Sequence, residues 1–175
     1  MSHEMNAVLD PARLAELRAT GLLDTPAEEA FDRLTRLAAR LLDAPVALVS
    51  LVDADRQFFK SQVGLASPLA ETRETPIATS YCRHTVAAGE TLSIEDARTH
   101  PLTADCYGSI AYLGAPVCTA DGHVLGTLCV VDQRPRAWSA EQAETLEALA
   151  AAVAAEIRLR RDLRERHAAE LALGR

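Results

Sequence analysis

The chain has 175 residues, 49% of them apolar and 25% charged, which predicts one soluble domain large enough to bury a core. Its net charge of −7 argues against nucleic acid or an anionic membrane as a partner, because both attract basic surfaces. No signal peptide pattern begins the chain, and the longest apolar run, residues 148–155, is far shorter than the roughly 20 residues of a membrane helix, so we expect a cytoplasmic protein.

Two helices are predicted before the first strand. The pair Asp10-Pro11 is typical of an N-cap followed by proline at the first helical position, and Gly21 is typical of a helix end, so a helix is predicted over residues 11–20. The motif TPAE, which begins at Thr25, predicts a capping box and a second helix over residues 26–42. Its apolar residues form one stripe, which indicates that the helix packs on a core.

The middle of the chain alternates short strands and loops. The run PVALVSLVD and the run QFFKSQVG are rich in β-branched and aromatic residues and predict two strands over residues 45–64. Residues 65–79 are predicted to form a loop, and Ser80 is predicted to cap a short helix over residues 81–88. A strand over residues 91–96 and an irregular connector to residue 109 follow.

A hairpin is the clearest local signal. Asp121-Gly122 predicts a two-residue type I′ turn in which Ala120 pairs with His123. One face of the hairpin is then uniformly apolar and should pack against the terminal helices: Ala111, Leu113, Ala115, Val117, Val124, Gly126, Leu128 and Val130. The other face mixes small, hydroxyl, phenol and thiol groups: Tyr112, Gly114, Pro116, Cys118, Leu125, Thr127, Cys129 and Val131. It suits the wall of a cavity, and the alternative is a thinner second core under the loops.

A long helix closes the chain. The capping box SAEQ, which begins at Ser139, starts a helix predicted to reach about residue 172. After Ile157 arginines interrupt its apolar stripe, so we expect residues 1–158 to form the domain and residues 159–175 to protrude. The protruding part is interpreted as a dimerising signalling helix, and the alternative is a solvated helix end.

These elements predict an α/β (α+β) protein. Five or six strands joined by hairpins or short links form a largely antiparallel central sheet, with the terminal helices packed on one face. The other face is left for a pocket under loops.

The motif SYCRH raises the question of whether the Cys82 thiol and the His84 imidazole act together. On a helix two residues apart point to nearly opposite sides, so the thiol and the imidazole share neither a metal nor a proton. We expect Cys82 to be buried and His84 to be solvated or at a cavity rim. No metal site is predicted.

Four segments together resemble a bacterial GAF domain of the kind found at the start of sensor kinases and diguanylate cyclases: ARLAELRATGLLDTPAEEAFDRLTRLAARLL, ALVSLVDADRQFFKS, SYCRHTVAAGETLSIEDA and GTLCVVDQRPRAWSAEQ. The resemblance runs from about residue 12 to residue 159 and implies a sensory module with a small-molecule pocket. It also implies a homodimer and an output domain or partner kinase or cyclase. We assign ten residues to the pocket: Phe59, Ser80, Cys82, Asp96, Cys106, Tyr107, Tyr112, Gly114, Thr127 and Cys129.

The resemblance does not name the ligand, and the cofactor stays unknown. The Asn-Lys…Phe-x₃-Asp-Glu pattern of cyclic-nucleotide-binding members is absent. Bilin-binding members attach their chromophore through a cysteine followed by histidine, whereas Cys82 is followed by Arg83. A scaffold that binds no ligand and only dimerises is a further alternative.

An enzymatic alternative rests on two cysteines. Free methionine-(R)-sulfoxide reductases are GAF proteins with a catalytic and a resolving cysteine, and Cys82 and Cys106 occupy similar regions. Those enzymes have Gly-Val-Cys-Gly around the cysteine and carboxylates on the last strand, where this chain has Cys129 and Val131. We therefore expect no enzymatic activity, and the same pair remains an alternative as a redox sensor.

Overall fold

Six strands form the central sheet: β1 (Val46–Val52), β2 (Arg56–Val63), β3 (Glu74–Pro76), β4 (Leu92–Ile94), β5 (Ala111–Cys118) and β6 (Val124–Asp132). Their order is β3-β2-β1-β6-β5-β4, and each neighbouring pair runs antiparallel. The structure, a computed structural model, describes residues 2–103 and 108–174. The predicted fold class is confirmed.

The helices of the described chain lie on both faces of this sheet. They are α1 (His3–Val8), α2 (Pro11–Ala19), α3 (Glu29–Leu41), α4 (Leu69–Thr72), α5 (Cys82–Ala88) and α6 (Ala140–Leu173), with a 3₁₀ turn over Ile77–Thr79. No helix in residues 2–103 or 108–174 combines the length and the apolarity that crossing a bilayer requires.

The larger core lies between the sheet and the helices α2, α3 and α6, as predicted. Alternate residues of each central strand enter it, because successive side chains of a strand point to opposite faces. The sheet contributes Ala47, Val49, Leu51, Leu113, Ala115, Leu128 and Val130, and the helices contribute Leu17, Phe31, Ala38, Leu146, Ala150, Val153 and Ile157.

A second buried cluster covers the opposite face of the sheet. Helices α1 and α5 pack there, together with residues from the segment that follows β2. Its members include Val8, Leu48, Phe59, Tyr81, Cys82, Val86, Tyr112, Cys129 and Val131. Four of the predicted pocket residues belong to this cluster: Phe59, Cys82, Tyr112 and Cys129. The candidate site therefore lies on this face.

Two predicted helix starts are confirmed by their caps. The Asp10 carboxylate accepts a hydrogen bond from the Arg13 amide at 3.0 Å, with Pro11 at the first helical position of α2. At the start of α6, Ser139 and Gln142 form the predicted reciprocal capping box. The C-terminal helix ends at Leu173, close to its predicted end.

The predicted capping box at Thr25 is wrong. Helix α3 starts at Glu29, and its N-cap Glu28 makes no side-chain cap bond. The Thr25 hydroxyl instead donates to the Leu22 carbonyl at 2.5 Å and accepts from Lys60 Nζ at 2.7 Å. The Thr25 side chain is therefore occupied by a local carbonyl and by a lysine that is distant in sequence.

The segment over residues 65–79 is more ordered than the predicted loop. It contains α4, the edge strand β3 and the 3₁₀ turn. Strand β3 pairs with β2 through Arg56↔Pro76, Gln57↔Thr75 and Phe58↔Glu74. Strand β3 is only three residues long and lies in a proline-containing segment, so its sequence shows no alternation of apolar and polar residues. The strand could therefore not be predicted.

The hairpin tip differs from the predicted two-residue turn. The Thr119 amide donates to the His123 carbonyl at 2.9 Å, and Gly122 adopts φ 87°, so the loop has three residues with glycine in the left-handed region. The register then shifts at a bulge next to Cys118, and this restores the predicted pairing of Gly114 with Cys129.

The bulge exchanges two side chains between the faces. Leu125 packs in the larger core, and Val124 packs in the second cluster, the reverse of the predicted assignment. A one-residue offset turns a strand side chain to the other face, which explains the exchange.

Helix α6 contacts the rest of the domain beyond residue 158. Arg161 pairs with Glu16 at 2.9 Å, and Arg164 donates to the Thr20 carbonyl. The residues after Arg164 are exposed, including Leu171 and Leu173. The contacts with the domain thus extend further along the helix than the predicted boundary.

A buried lysine joins the sheet to these helices. The Lys60 side chain is 0% exposed, and its ammonium pairs with Glu28 and donates to the Pro26 carbonyl at 2.6 Å. Arg160 of α6 pairs with the same carboxylate. Burial raises the pKa of the Glu28 carboxyl, but hydrogen bonds from Lys60 and Arg160 outweigh it and lower that pKa below its usual value.

We predict that Glu28→Gln lowers the stability at neutral pH by about 1–2 kcal/mol, because Lys60 and Arg160 lose their shared counter-charge while the site stays partly solvated. The folded-state pKa of Glu28 lies below the unfolded value. Its contribution is therefore complete above the ordinary glutamate pKa and is lost as the pH falls through the folded value.

Denaturant unfolding at several pH values measures both effects. The variant should lose part of the acid dependence that the wild type shows. Glu29→Gln is the matched control, since Glu29 pairs with Arg36 on the exposed surface and its replacement should change little. Equal acid dependence in the wild type and in Glu28→Gln would contradict the prediction.

Candidate functional site

A cavity of about 150 Å³ lies on the second-cluster face of the sheet. Its floor is formed by the strands β1, β2, β5 and β6, and its walls come from α4, α5 and the neighbouring loops. The lining residues include Leu48, Gln57, Phe59, Leu65, Leu69, Tyr81, Cys82, Ser109, Tyr112, Cys129 and Val131. The cavity has room for a benzene-sized molecule, and a larger ligand requires the loops to move.

Four of the predicted pocket residues line this cavity: Phe59, Cys82, Tyr112 and Cys129. Each stands on a strand or at the start of α5, so the scaffold holds its side chain in place. The hairpin register predicted from the sequence places Tyr112 and Cys129 on one face of the sheet, and the structure confirms that register.

The structure places four others outside the cavity. Ser80 and Thr127 are buried behind the lining residues. A Cβ on Gly114 would lie 2.0 Å from the Tyr112 phenol oxygen, so this glycine makes room for the ring. Asp96 binds its neighbour Arg98 instead, at 2.7 Å.

Two predicted pocket residues, Cys106 and Tyr107, lie outside the described residues.

Sequence reasoning missed Gln57, the central polar group of one wall. Its amide oxygen accepts from Ser50 at 2.9 Å and from Ser80 at 2.7 Å, and its amide nitrogen donates to Thr75 at 2.6 Å. These bonds fix the amide orientation. The signal was available, because Gln57 stands two residues from Phe59 on a strand and so shares its face.

The tyrosine pair closes one side of the cavity. The Tyr81 and Tyr112 rings meet edge to face with centroids 5.4 Å apart, and the Tyr81 hydroxyl donates to the Ser109 carbonyl at 2.6 Å. No local pattern distinguished Tyr81 from an ordinary helix residue, so the sequence did not predict it.

Hydrogen-bond donors converge on the sulfur of Cys82. The Thr127 hydroxyl lies 3.1 Å from it, the Tyr112 hydroxyl 3.6 Å and the Cys129 sulfur 3.9 Å. Thr85 and Tyr112 also share a hydrogen bond of 2.9 Å. A thiolate at Cys82 is thus held by hydroxyl groups rather than by a cation.

These donors shift the pKa values of the two thiols in opposite directions. The hydrogen bond from Cys129, opposed by burial and aided by Thr127 and Tyr112, lowers the pKa of Cys82 to about 6. Donation to Cys82 and burial both raise the pKa of Cys129. Of the two thiols, Cys82 therefore loses its proton first.

His84 takes no part in this cluster, which confirms that SYCRH is not a dyad. The expectation that His84 is solvated or at a cavity rim is wrong, because its side chain is buried under α1. Its Nδ1 lies 2.9 Å from a Glu4 carboxylate oxygen. Helix α1, which the sequence did not predict, covers the histidine.

Comparison with known proteins identifies the architecture. The family model of the GAF domain matches residues 26–157. A cyclic di-GMP phosphodiesterase of Pseudomonas aeruginosa is 34% identical over 137 residues, which is 75% of this chain and 22% of that protein. This chain therefore spans less than a quarter of the relative's length.

Two solved structures show the same fold. The blue-light absorbing form of the PixJ GAF domain from Thermosynechococcus elongatus has a TM-score of 0.64 at 18% identity, covering 92% of this chain and 96% of that one. A free methionine-R-sulfoxide reductase from Neisseria meningitidis, in complex with its substrate, has a TM-score of 0.63 at 18% identity, covering 90% and 93%. At these identities the likeness concerns the fold alone.

We predict that Thr127→Val raises the pKa of Cys82, because it removes a donor to the thiolate and keeps the side-chain shape. Alkylation by iodoacetamide, followed peptide by peptide with mass spectrometry across a pH series, reports the midpoint. In the wild type the midpoint should lie near pH 6 for Cys82.

Cys118 provides an internal control in the same samples. Burial raises the pKa of this thiol, so it should react only at alkaline pH in both proteins. An unchanged Cys82 midpoint in Thr127→Val would show that the hydroxyl does not stabilise the thiolate.

Proposed function

Because the chain belongs to the GAF domain family of regulatory and sensory modules, we propose that it binds a small neutral molecule in the cavity. The second part of the proposal is that occupancy of the cavity acts on the C-terminal helix. The cavity itself carries the proposal, since it lies on the face of the sheet opposite the helical core.

The chemistry of the wall supports a neutral ligand. The lining residues in the described parts of the chain include no Asp, Glu, Lys, Arg or His. Apolar side chains dominate, and Gln57, Tyr112 and the neighbouring hydroxyls supply a few hydrogen-bonding groups. A ligand with a full charge would leave it unpaired in this environment.

The same wall disfavours the enzymatic alternative. Free methionine sulfoxide is a zwitterion, and this cavity offers its ammonium no carboxylate among the described lining residues. On the last strand, the reductases that this sequence resembles have carboxylates where this chain has Cys129 and Val131. We therefore propose a regulatory role without catalysis of that reaction.

Strand β2 supports a connection from the cavity to α6. Gln57 and Phe59 line the cavity, while Lys60 points to the helical face and pairs with Glu28. Arg160 of α6 holds the same carboxylate. A shift of β2 on ligand binding therefore changes the position of a charge that the C-terminal helix contacts.

We also propose that α6 forms a homodimer through its exposed leucines. Leu159, Leu163 and Leu171 are each at least half exposed and lie on one side of the helix. The proposed boundary between domain and protruding helix moves to Arg164, which donates to the Thr20 carbonyl. By analogy with the longer Pseudomonas relative, the module regulates an output domain or a partner kinase or cyclase.

Cavity filling tests the ligand. We predict that Val131→Phe abolishes binding of a small molecule retained from cells and keeps the melting temperature within a few degrees, because the ring fills empty space. Val130→Phe is the matched control, since its side chain points into the larger core. That change should cost roughly 1–3 kcal/mol by overpacking and leave the cavity unchanged.

Native mass spectrometry beside the denatured mass measures the retained molecule, and thermal melts measure the stability. A parent protein that carries no added mass and gains none from a cell extract would reject the ligand. The protein would then be a scaffold without a bound molecule.

Charge placed on the exposed leucines tests the dimer. We predict that Leu163→Glu combined with Leu171→Glu weakens self-association about tenfold or more, equivalent to at least about 1.4 kcal/mol. Truncation at Arg158 is a less specific test of the dimer contact, because it also removes the contacts that Arg161 and Arg164 make with the domain.

The matched control places the same two charges on the opposite side of the helix, at Ala169 and Ala172, and should leave association unchanged. Sedimentation velocity measures association, and circular dichroism checks the fold. A wild type that is monomeric at tens of micromolar would contradict the dimer.

A further inference from the structure

Two cysteines from distant parts of the chain meet in the cavity wall. Cys82 begins α5 and Cys129 lies in the middle of β6, 47 residues later. Their sulfur atoms are 3.9 Å apart, and both side chains are almost fully buried from bulk solvent. An S–S bond is about 2.05 Å long, so the two sulfur atoms must approach each other by about 2 Å to form one.

The two thiols have different surroundings. Cys82 accepts hydrogen bonds from Thr127 and Tyr112, whereas Cys129 donates to Cys82. A thiolate is the nucleophile in thiol chemistry, and a neighbouring thiol resolves the product. The pair therefore has a nucleophile and a resolving group in fixed positions.

The cavity gives small molecules access to both sulfurs. Cys82 and Cys129 both line it, and its volume of about 150 Å³ is several times the roughly 30 Å³ that a water molecule occupies. Hydrogen peroxide is small enough for this cavity and, as a neutral molecule, needs no charged partner in the wall.

We propose that Cys82 and Cys129 form a reversible redox pair that hydrogen peroxide entering the cavity converts to a disulfide. This site is distinct from the pairing of Cys82 with Cys106 considered from the sequence. It holds whether or not the cavity also binds a regulatory ligand.

The reaction balances in two steps. The Cys82 thiolate attacks one oxygen of the peroxide and breaks the O–O bond, which gives a sulfenic acid at Cys82 and hydroxide, the peroxide being reduced. The Cys129 sulfur then attacks the Cys82 sulfur, and the displaced hydroxyl leaves as water with the proton of the Cys129 thiol. Two electrons pass from the sulfurs to the peroxide, and a dithiol reductant returns them by exchange.

The disulfide changes the cavity wall. It removes the Cys82 thiolate as an acceptor for Thr127 and Tyr112 and ties the first turn of α5 to β6. The buried hydroxyl groups must then find other partners, so oxidation reshapes the region next to the Tyr112 ring. Oxidation of the pair thus changes the structure of the cavity wall as well as the bonding of the two sulfurs.

The test uses the full chain with Cys106→Ser and Cys118→Ser, so that Cys82 and Cys129 are the only thiols left. Under hydrogen peroxide the intact mass should fall by two hydrogen atoms in a monomeric product, and dithiothreitol should restore it. Proteolysis without reductant should give one cross-linked peptide pair, Cys82 with Cys129.

Three further variants in that background assign the roles. Adding Cys129→Ser should abolish the loss of two hydrogens and leave a sulfenic acid at Cys82 that dimedone traps. Adding Thr127→Val should slow the oxidation several-fold at neutral pH. The reciprocal variant carries Cys82→Ser instead, and dimedone trapped on its Cys129 faster than on Cys82 of the Cys129→Ser variant would overturn the assignment of the nucleophile.

Absence of the mass loss, at a peroxide concentration that oxidises Cys118 in the wild type, would overturn the proposal. If the double serine variant does not fold, the peptide map of the oxidised wild type decides. A cross-link between Cys82 and Cys129 supports the pair, and a cross-link to Cys106 or none at all rejects it.

Discussion

The ammonium of Lys60 is the charge around which the helical side of the molecule is arranged. Its side chain is fully buried on β2, and an unpaired charge in that position would destabilise the fold by several kcal/mol. Glu28 supplies the counter-charge, and Thr25 and the Pro26 carbonyl accept the remaining hydrogen bonds. The loop before α3 must therefore adopt one conformation, and Arg160 fixes α6 to the same carboxylate.

The two faces of strand β2 therefore have different roles. One face holds the charge cluster that contacts α6, and the other contributes Gln57 and Phe59 to the cavity. A strand cannot rotate one face without the other, because successive side chains share one backbone. Strand β2 is thus one connection between the cavity and the C-terminal helix, beside β5 and β6, which also line the cavity and pack against α6.

Sequence reasoning succeeded where local chemistry determines structure. The cap at Ser139 and the alternation that faces Cys129 away from the larger core under α2, α3 and α6 depend on neighbours in the chain. It failed where distant contacts decide. Lysine is rarely buried, so nothing local marked Lys60 as the group that takes the Thr25 hydroxyl from its predicted cap. The approach of Cys82 to the mixed face likewise depends on where α5 docks, which no periodicity encodes.

The two proposals for the cavity are linked by geometry. A ligand that fills the space beside Tyr112 excludes peroxide from Cys82, so occupancy should protect the thiol pair from oxidation. Oxidation in turn withdraws the sulfur that Thr127 and Tyr112 bind and changes the wall that the ligand contacts. Thermodynamic linkage requires these effects to be reciprocal: a ligand that prefers the reduced cavity must make the disulfide harder to form by the same factor. The two inputs reach different strands, because the ligand contacts Phe59 on β2 whereas the disulfide would tie α5 to β6, which packs against α6.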